Sequence, residues 1–151
     1  MNKNNSLQIA ALAEDNYDDW LALWQDYLAF YETTLPIEVT AITWQNFHNQ
    51  EVAIYGFGAW IDDQLVGITH VVLHPNTWST TDCCYLEDLY VSAEVRGKGV
   101  GGALIEKVYD FANDKNCNRV YWVTQEDNSA ARSLYDKLAT KTDMVQYRKN
   151  L

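Results

Sequence analysis

Positive charge is scarce in this chain. Eleven Lys and Arg stand against 21 Asp and Glu in 151 residues, a formal net charge of −10. That balance disfavours nucleic acid as a partner, because binding to a phosphate backbone is carried by Lys and Arg. An acidic surface attracts cations instead and speeds their encounter. Long apolar runs are missing as well, and none approaches the roughly 18 residues that span a bilayer, so no membrane partner is expected. The opening Met-Asn-Lys-Asn-Asn-Ser lacks the apolar stretch of a secretory signal. It reads as a disordered tail, residues 1–5, ahead of a single domain from residue 6 to 151. Cysteine is limited to Cys83, Cys84 and Cys117. An odd number without paired spacing argues against a disulfide framework and for a reducing, cytoplasmic compartment. With no Cys-x-x-Cys and no His-x-x-x-His, no metal site is expected. The vicinal pair Cys83-Cys84 reads as small apolar residues packed in a strand. Proline is limited to Pro36 and Pro75, and no linker, repeat or low-complexity tract divides the chain.

Glycine is also sparse, yet four of the seven glycines fall between Gly97 and Gly102. A glycine-rich loop that opens a helix presents unpaired N–H groups at a positive dipole end, which suits a phosphate. Arg96 and Lys98 add charge at its edge. The Walker pattern fails, because Gly99 stands where Ser or Thr is required and no glycine lies at position 92. The dinucleotide pattern matches literally at Gly97, Gly99 and Gly102, but there the first glycine closes a turn directly after a strand. Here Ser92 to Arg96 intervene, and about fifty residues beyond are too few for a doubly wound domain at ordinary element lengths. A third pattern, Arg-x-x-Gly-x-Gly, is matched by Arg96, Gly99 and Gly101.

The flanking elements follow from periodicity and punctuation. Leu7 to Ala11 reads as a strand. Asp15 is placed to cap a helix running to about Tyr31, with Trp20, Trp24, Tyr27, Leu28 and Tyr31 on one stripe. Glu38 to His48 reads as a short helix beyond Pro36. Ile54–Ile61 and Leu65–Leu73 read as a hairpin, and Cys83–Val91 as the next strand. Val100, Ala103, Leu104, Val108, Phe111 and Ala112 line the buried face of a helix. Arg119 to Gln125 reads as a strand joined to the previous one by a crossover, so the two should be parallel. Asn128 to Leu138 reads as a helix, and Thr142 to Lys149 as the last strand or strands.

Loop, flanking strand, later Asn128 and Tyr135 together resemble the GNAT N-acetyltransferase superfamily over nearly the whole chain. Tyr85-Leu-Glu-Asp-Leu-Tyr-Val, Leu134-Tyr-Asp-Lys and the region from Phe30 to Pro36 are similar to its polyamine, diamine and histone acetyltransferase-like branch. The resemblance implies an α/β (α+β) fold: a mixed, twisted sheet of six to seven strands, helices on both faces, and two splayed parallel strands with the cofactor between them. It implies acetyl-CoA as cosubstrate, without a metal. The expected cofactor residues are Arg96, Gly97, Lys98, Gly99, Val100, Gly101 and Gly102 for the pyrophosphate, Leu89, Tyr90 and Val91 for the pantetheine arm, and Asn128. The acceptor is expected to be a small cationic amine such as a polyamine. A protein lysine, an aminoglycoside, or a non-catalytic acyl-CoA-binding module stand as alternatives. A homodimer through the C-terminal strands is also implied.

Four residues carry the expected chemistry. Spacing alone makes Tyr135 a core aromatic, and the resemblance makes it the general acid: a phenol with pKa near about 10 stays protonated at neutral pH and can donate to a thiolate. Glu87 and Asp88 are carboxylates in an otherwise apolar strand, a costly placement unless paired or functional. Neighbours on a strand face opposite sides, so only one should point into a given cleft. The resemblance favours Glu87, as base or water-positioning group and as a contact for the acceptor. Tyr31 and Glu32 are placed at the acceptor mouth. His48, His70 and His74 have no acidic partner in sequence reach and read as structural.

Overall fold

The computed structural model describes residues 6–151; the expected tail at residues 1–5 lies outside the described residues. Strand β1 (Leu7–Ala11) leads through a 3-10 turn (Glu14–Asn16) into helix α1 (Tyr17–Phe30). Asp15, expected to cap this helix, lies inside the turn. Asn16 closes the turn instead, its Oδ1 accepting from the Ala13 N–H at 2.7 Å. Helix α2 (Ile37–Asn46) starts directly after Pro36, whose fixed φ suits a helix start. Strands β2 (Ile54–Ile61) and β3 (Gln64–His74) form the expected hairpin. Asp62 and Asp63 both adopt positive φ, 50° and 61°, as a two-residue hairpin turn requires. Then come β4 (Cys83–Val91), α3 (Val100–Asp114), β5 (Arg119–Tyr121) and α4 (Ser129–Leu138).

The strands lie in the order β1-β2-β3-β4-β5. The first three pairings are antiparallel, and β4 and β5 are parallel, as the crossover through α3 dictates. Five strands are present, fewer than the six to seven expected. Strand β5 stops at Tyr121, because its partner β4 turns away beyond Tyr85 and offers no further ladder. Residues 142–149, expected as a strand, run without regular structure and exposed. Met144, Val145 and Tyr147 alternate apolar side chains along this segment but reach no neighbouring strand, and a lone strand has nothing to pair with.

Both faces of the sheet are covered. On one face Phe57, Val71, Cys84 and Leu86 pack against Ile105, Val108 and Ala112 of α3, with Leu134, Tyr135 and Leu138 of α4 at the margin. On the other, Trp20, Leu23 and Trp24 of α1 pack with Leu12, Leu65 and Ile68, bordered by Trp44 and Phe47. This double cover explains why adjacent Cys83 and Cys84 are both fully buried. No helix among the described residues is long and apolar enough to cross a membrane.

Candidate active site

The site is organised by an irregularity in β4. The register pairs His70 with Asp88 and Val71 with Leu86, which leaves Glu87 opposite no residue of β3. Such a bulge bends the strand and increases its local twist. It falls directly after the last β4–β5 pair, Tyr85 with Tyr121, so the two parallel strands part there. Beyond it one edge of β4 is unpaired. The Ser92 N–H donates to Val66 O at 2.8 Å. By the alternation of an antiparallel ladder, Tyr90, expected to pair with the pantetheine arm, instead turns its main-chain groups to β3, while those of Leu89 and Val91 face the gap.

The bulge also reverses side-chain alternation. Cys84 and Leu86 lie on the α3 face before it, Leu89 and Val91 on the same face after it. Counted from either side, Glu87 and Asp88 therefore both fall on the α1 face. The expectation that only one would enter a cleft is corrected: period two holds only for a strand without an insertion. Burial lifts the Glu87 carboxyl above its ordinary value, and the Asp88 charge beside it adds to the shift. The residue as a whole stays accessible to solvent.

Asp88 is held from two sides. Its Oδ1 accepts from the Tyr27 hydroxyl at 2.7 Å, and its Oδ2 lies 2.9 Å from His70 Nδ1. His70 Nε2 accepts from the Trp20 indole N–H at 3.0 Å. Sequence reasoning missed this chain and read His70 as structural, with no acidic partner in sequence reach. The partner lies across the β3–β4 ladder, 18 residues away. The available signal was the pairing itself: a long antiparallel pair with one polar residue in each apolar strand. His74 is engaged differently, its Nε2 accepting from the Tyr121 hydroxyl at 2.6 Å.

The glycine loop is shaped as a cradle. Gly97 and Gly99 have φ of 83° and 80°, and a Cβ built on either meets nothing within 4 Å. Backbone conformation, not crowding, demands glycine there. No side chain caps α3. The first N–H donation within it runs from Ala103 to Gly99 O at 3.1 Å. The N–H groups of Val100, Gly101 and Gly102 precede that bond and remain for an anion. Gly101 has a second function: a Cβ there would stand 3.3 Å from the Leu134 side chain, so its absence lets α4 close on α3. Arg96 lies over the Phe30 and Tyr90 rings, 5.9 and 5.7 Å to their centroids, with its Nε donating to Val91 O at 3.2 Å. These unpaired donors and the open β4 edge fit a pyrophosphate with an extended amide arm.

Asn128 caps α4, its side chain accepting from the Ala131 N–H at 3.4 Å. Tyr135, two turns on, sits half-buried with its ring 5.3 Å from that of Trp122. Burial raises its phenol pKa, with Tyr31 adding to the shift. Tyr31 acts likewise on Tyr27, whose phenol is raised by burial first and by Asp88 next. The Tyr31 ring packs on that of Tyr27, centroids 5.0 Å apart, and Tyr27 in turn donates to Asp88. Glu32 follows it, exposed and at positive φ, where the helix ends. Cys84 is no nucleophile: burial, with Cys117 and Cys83 nearby, pushes its thiol up to about 12. No cluster of three or more His, Cys, Asp or Glu able to hold a metal occurs among the described residues.

Comparison with known proteins agrees with this geometry. The model of the acetyltransferase (GNAT) family matches residues 11–139. The chain is 36% identical to the D-amino-acid N-acetyltransferase HPA3 of Saccharomyces cerevisiae over 149 residues, covering 97% of this chain and 92% of that protein. It is 38% identical to the thialysine N-epsilon-acetyltransferase of Bos taurus over 66 residues, 44% of this chain and 38% of that protein. Among solved structures, the aminoglycoside N-acetyltransferase AAC(6')-Iy in complex with CoA superposes with a TM-score of 0.85 at 16% identity, covering 99% of this chain and 98% of that one. The chain belongs to the GNAT family and is an acetyl-CoA-dependent N-acetyltransferase.

Proposed function

We propose that this enzyme transfers an acetyl group directly to a primary amine of a small cationic acceptor, with polyamines first among the candidates. The observation that carries this is the bulge at Glu87, which sets two carboxylates side by side on one face of the strand at its open edge. Side by side, the two carboxylates attract an ammonium group and repel an anionic one. An excess of ten acidic residues over basic ones supports the same preference.

In this reading the N–H groups of Val100, Gly101 and Gly102 hold the pyrophosphate, with Gly97 and Gly99 shaping the loop and Arg96 and Lys98 adding charge. Leu89 and Val91 pair with the pantetheine arm as an added strand would. Asn128 keeps its amide N–H groups for the same arm. Glu87 takes the proton that must leave the ammonium before the nitrogen can attack. Tyr135 gives a proton to the departing thiolate. Tyr31 and Glu32 flank the acceptor mouth. Acetyl-CoA supplies the acyl group; the chain supplies orientation and both proton transfers.

A second reading, a free D-amino acid as acceptor, is supported by the yeast relative, which matches along nearly the whole chain. A thiol-release assay with spermidine, thialysine, D-phenylalanine and an aminoglycoside separates the two. Turnover with the cationic amines is expected; turnover with D-phenylalanine alone would overturn the cationic reading. The loop assignment has its own test. Gly99→Val forces a branched side chain into positive φ, and calorimetry should show acetyl-CoA binding lost in a folded protein. Unchanged affinity would remove the loop from the site.

The same reading includes a homodimer. The exposed segment with Met144, Val145, Tyr147 and Leu151 leaves apolar side chains in water, and an unpaired strand-like segment invites pairing with another chain. Sedimentation is expected to give a dimer at micromolar concentration, and a monomer there would contradict it.

A further inference from the structure

We infer that Trp20, His70 and Tyr27 form a positioning device that holds the Asp88 carboxylate fixed to receive the acceptor's ammonium group, with His70 neutral. The inference rests on the amine-acetyltransferase reading above and adds to it residues that the reading leaves unused.

The protonation state follows from the donors. His70 is 2% exposed, enclosed by the rings of Trp24 and Phe47 at 5.3 and 4.7 Å. Its Nε2 lies 3.0 Å from the Trp20 Nε1. An indole N–H can only donate, so Nε2 accepts and carries no proton. The imidazole proton is then on Nδ1, where it is donated to Asp88 Oδ2 at 2.9 Å. A doubly protonated ring would set N–H against N–H at a buried site and forfeit the Trp20 bond. The His70–Asp88 contact has the distance of an ion pair but is a neutral hydrogen bond to a carboxylate.

His70 therefore gives the Asp88 carboxylate a hydrogen bond but no counter-charge. The Tyr27 hydroxyl, its other donor at 2.7 Å, is neutral too, since burial and the Asp88 charge both hold its proton on. A carboxylate offers about four acceptor positions, and two are used. The Asp88 side chain is 17% exposed against 3% for His70, so the charge opens outward while its support stays sealed. No Lys or Arg among the described residues forms an ion pair with it. Arg96 is turned to the rings of Tyr90 and Phe30 and to Val91 O. An ionised group in such a place is costly without a counter-charge. The missing positive charge is that of the acceptor.

Two measurements test this. Ring-nitrogen NMR of labelled histidine in the whole protein is expected to show His70 as the Nδ1–H tautomer near neutral pH. An imidazolium or an Nε2–H tautomer would overturn the proposal. In kinetics with spermidine, His70→Leu keeps bulk but loses the donor, and the KM for spermidine should rise about 10- to 100-fold, the worth of one hydrogen bond to a charged group. The KM for acetyl-CoA should hardly change. His70→Asn places an amide N–H near the Nδ1 position and should recover most of the loss. Equal impairment in the two variants, or an unchanged spermidine KM in a stable His70→Leu, would contradict the role. If His70→Leu does not fold, Trp20→Phe frees Nε2 and should raise the spermidine KM in the same direction; no change there would also contradict it. If wild-type enzyme releases no thiol with spermidine, the acceptor reading falls. Calorimetric spermidine binding to wild type and His70→Leu, with the NMR tautomer, then still decides the device: equal affinities would overturn it.

Discussion

The two faces of the sheet solve the same burial problem with different chemistry. Against α3 the buried core is apolar: Phe57, Val71, Leu86, Ile105 and Val108 pack with no hydrogen-bonded side chain among them, and aromatic rings such as Phe111 lie at its margin. Against α1 it is aromatic and polar. Trp20 is fully buried yet donates to His70, and Trp24 donates to Thr40 at 3.2 Å. The buried apolar residues there need only volume. The other face commits buried donors to specific partners, which costs stability whenever a partner is lost, and it is the face on which Glu87 and Asp88 emerge. Undirected apolar packing lies on one side of β4, and directed polar groups on the other.

If that division holds, Ile105→Ala should act on stability and on little else. Ile105 is fully buried between β4 and α3. Truncating it should cost about 2–5 kcal/mol, the usual range for such a cavity, read as a lower denaturation midpoint. Both KM values should stay near wild type at a temperature where the variant is folded. A large change in acceptor KM would break the comparison.

Tyr135 lies at the margin of the apolar core and tests its boundary. Tyr135→Phe keeps the ring against Trp122 and removes the proton. Turnover should fall by roughly 10²–10³, the loss of one general acid, with acetyl-CoA affinity little altered. Turnover within about threefold in a stable variant would assign Tyr135 to packing alone, since a small adjustment of a core aromatic is worth under about 1 kcal/mol.

Much of this was legible in the residues. The glycine loop, the hairpin at Asp62-Asp63 and the crossover through α3 follow from local chemistry, and each stands where periodicity put it. The Tyr27–Asp88–His70–Trp20 chain was not, because each link joins residues distant in sequence. The shared face of Glu87 and Asp88 was hidden for a sharper reason: one inserted residue inverts a period-two pattern, and nothing in Leu-Glu-Asp-Leu marks the insertion. The missing strand after Thr142 has a third cause. Its apolar alternation is genuine, but alternation specifies a strand only where a neighbour exists to pair with it.

The central claim, that Glu87 on the bulge is the base, is tested most directly by the pH dependence of kcat/KM in wild type and in Glu87→Gln. A base works when deprotonated, so the rate should fall as pH drops through its pKa. Burial and the adjacent Asp88 raise that pKa, which places the acid limb above the ordinary glutamate value of about 4.3. Glu87→Gln should lower kcat/KM by roughly 10²–10⁴ and erase that limb. An acid limb that persists unchanged in a folded Glu87→Gln enzyme, or a rate that hardly falls, would contradict the account.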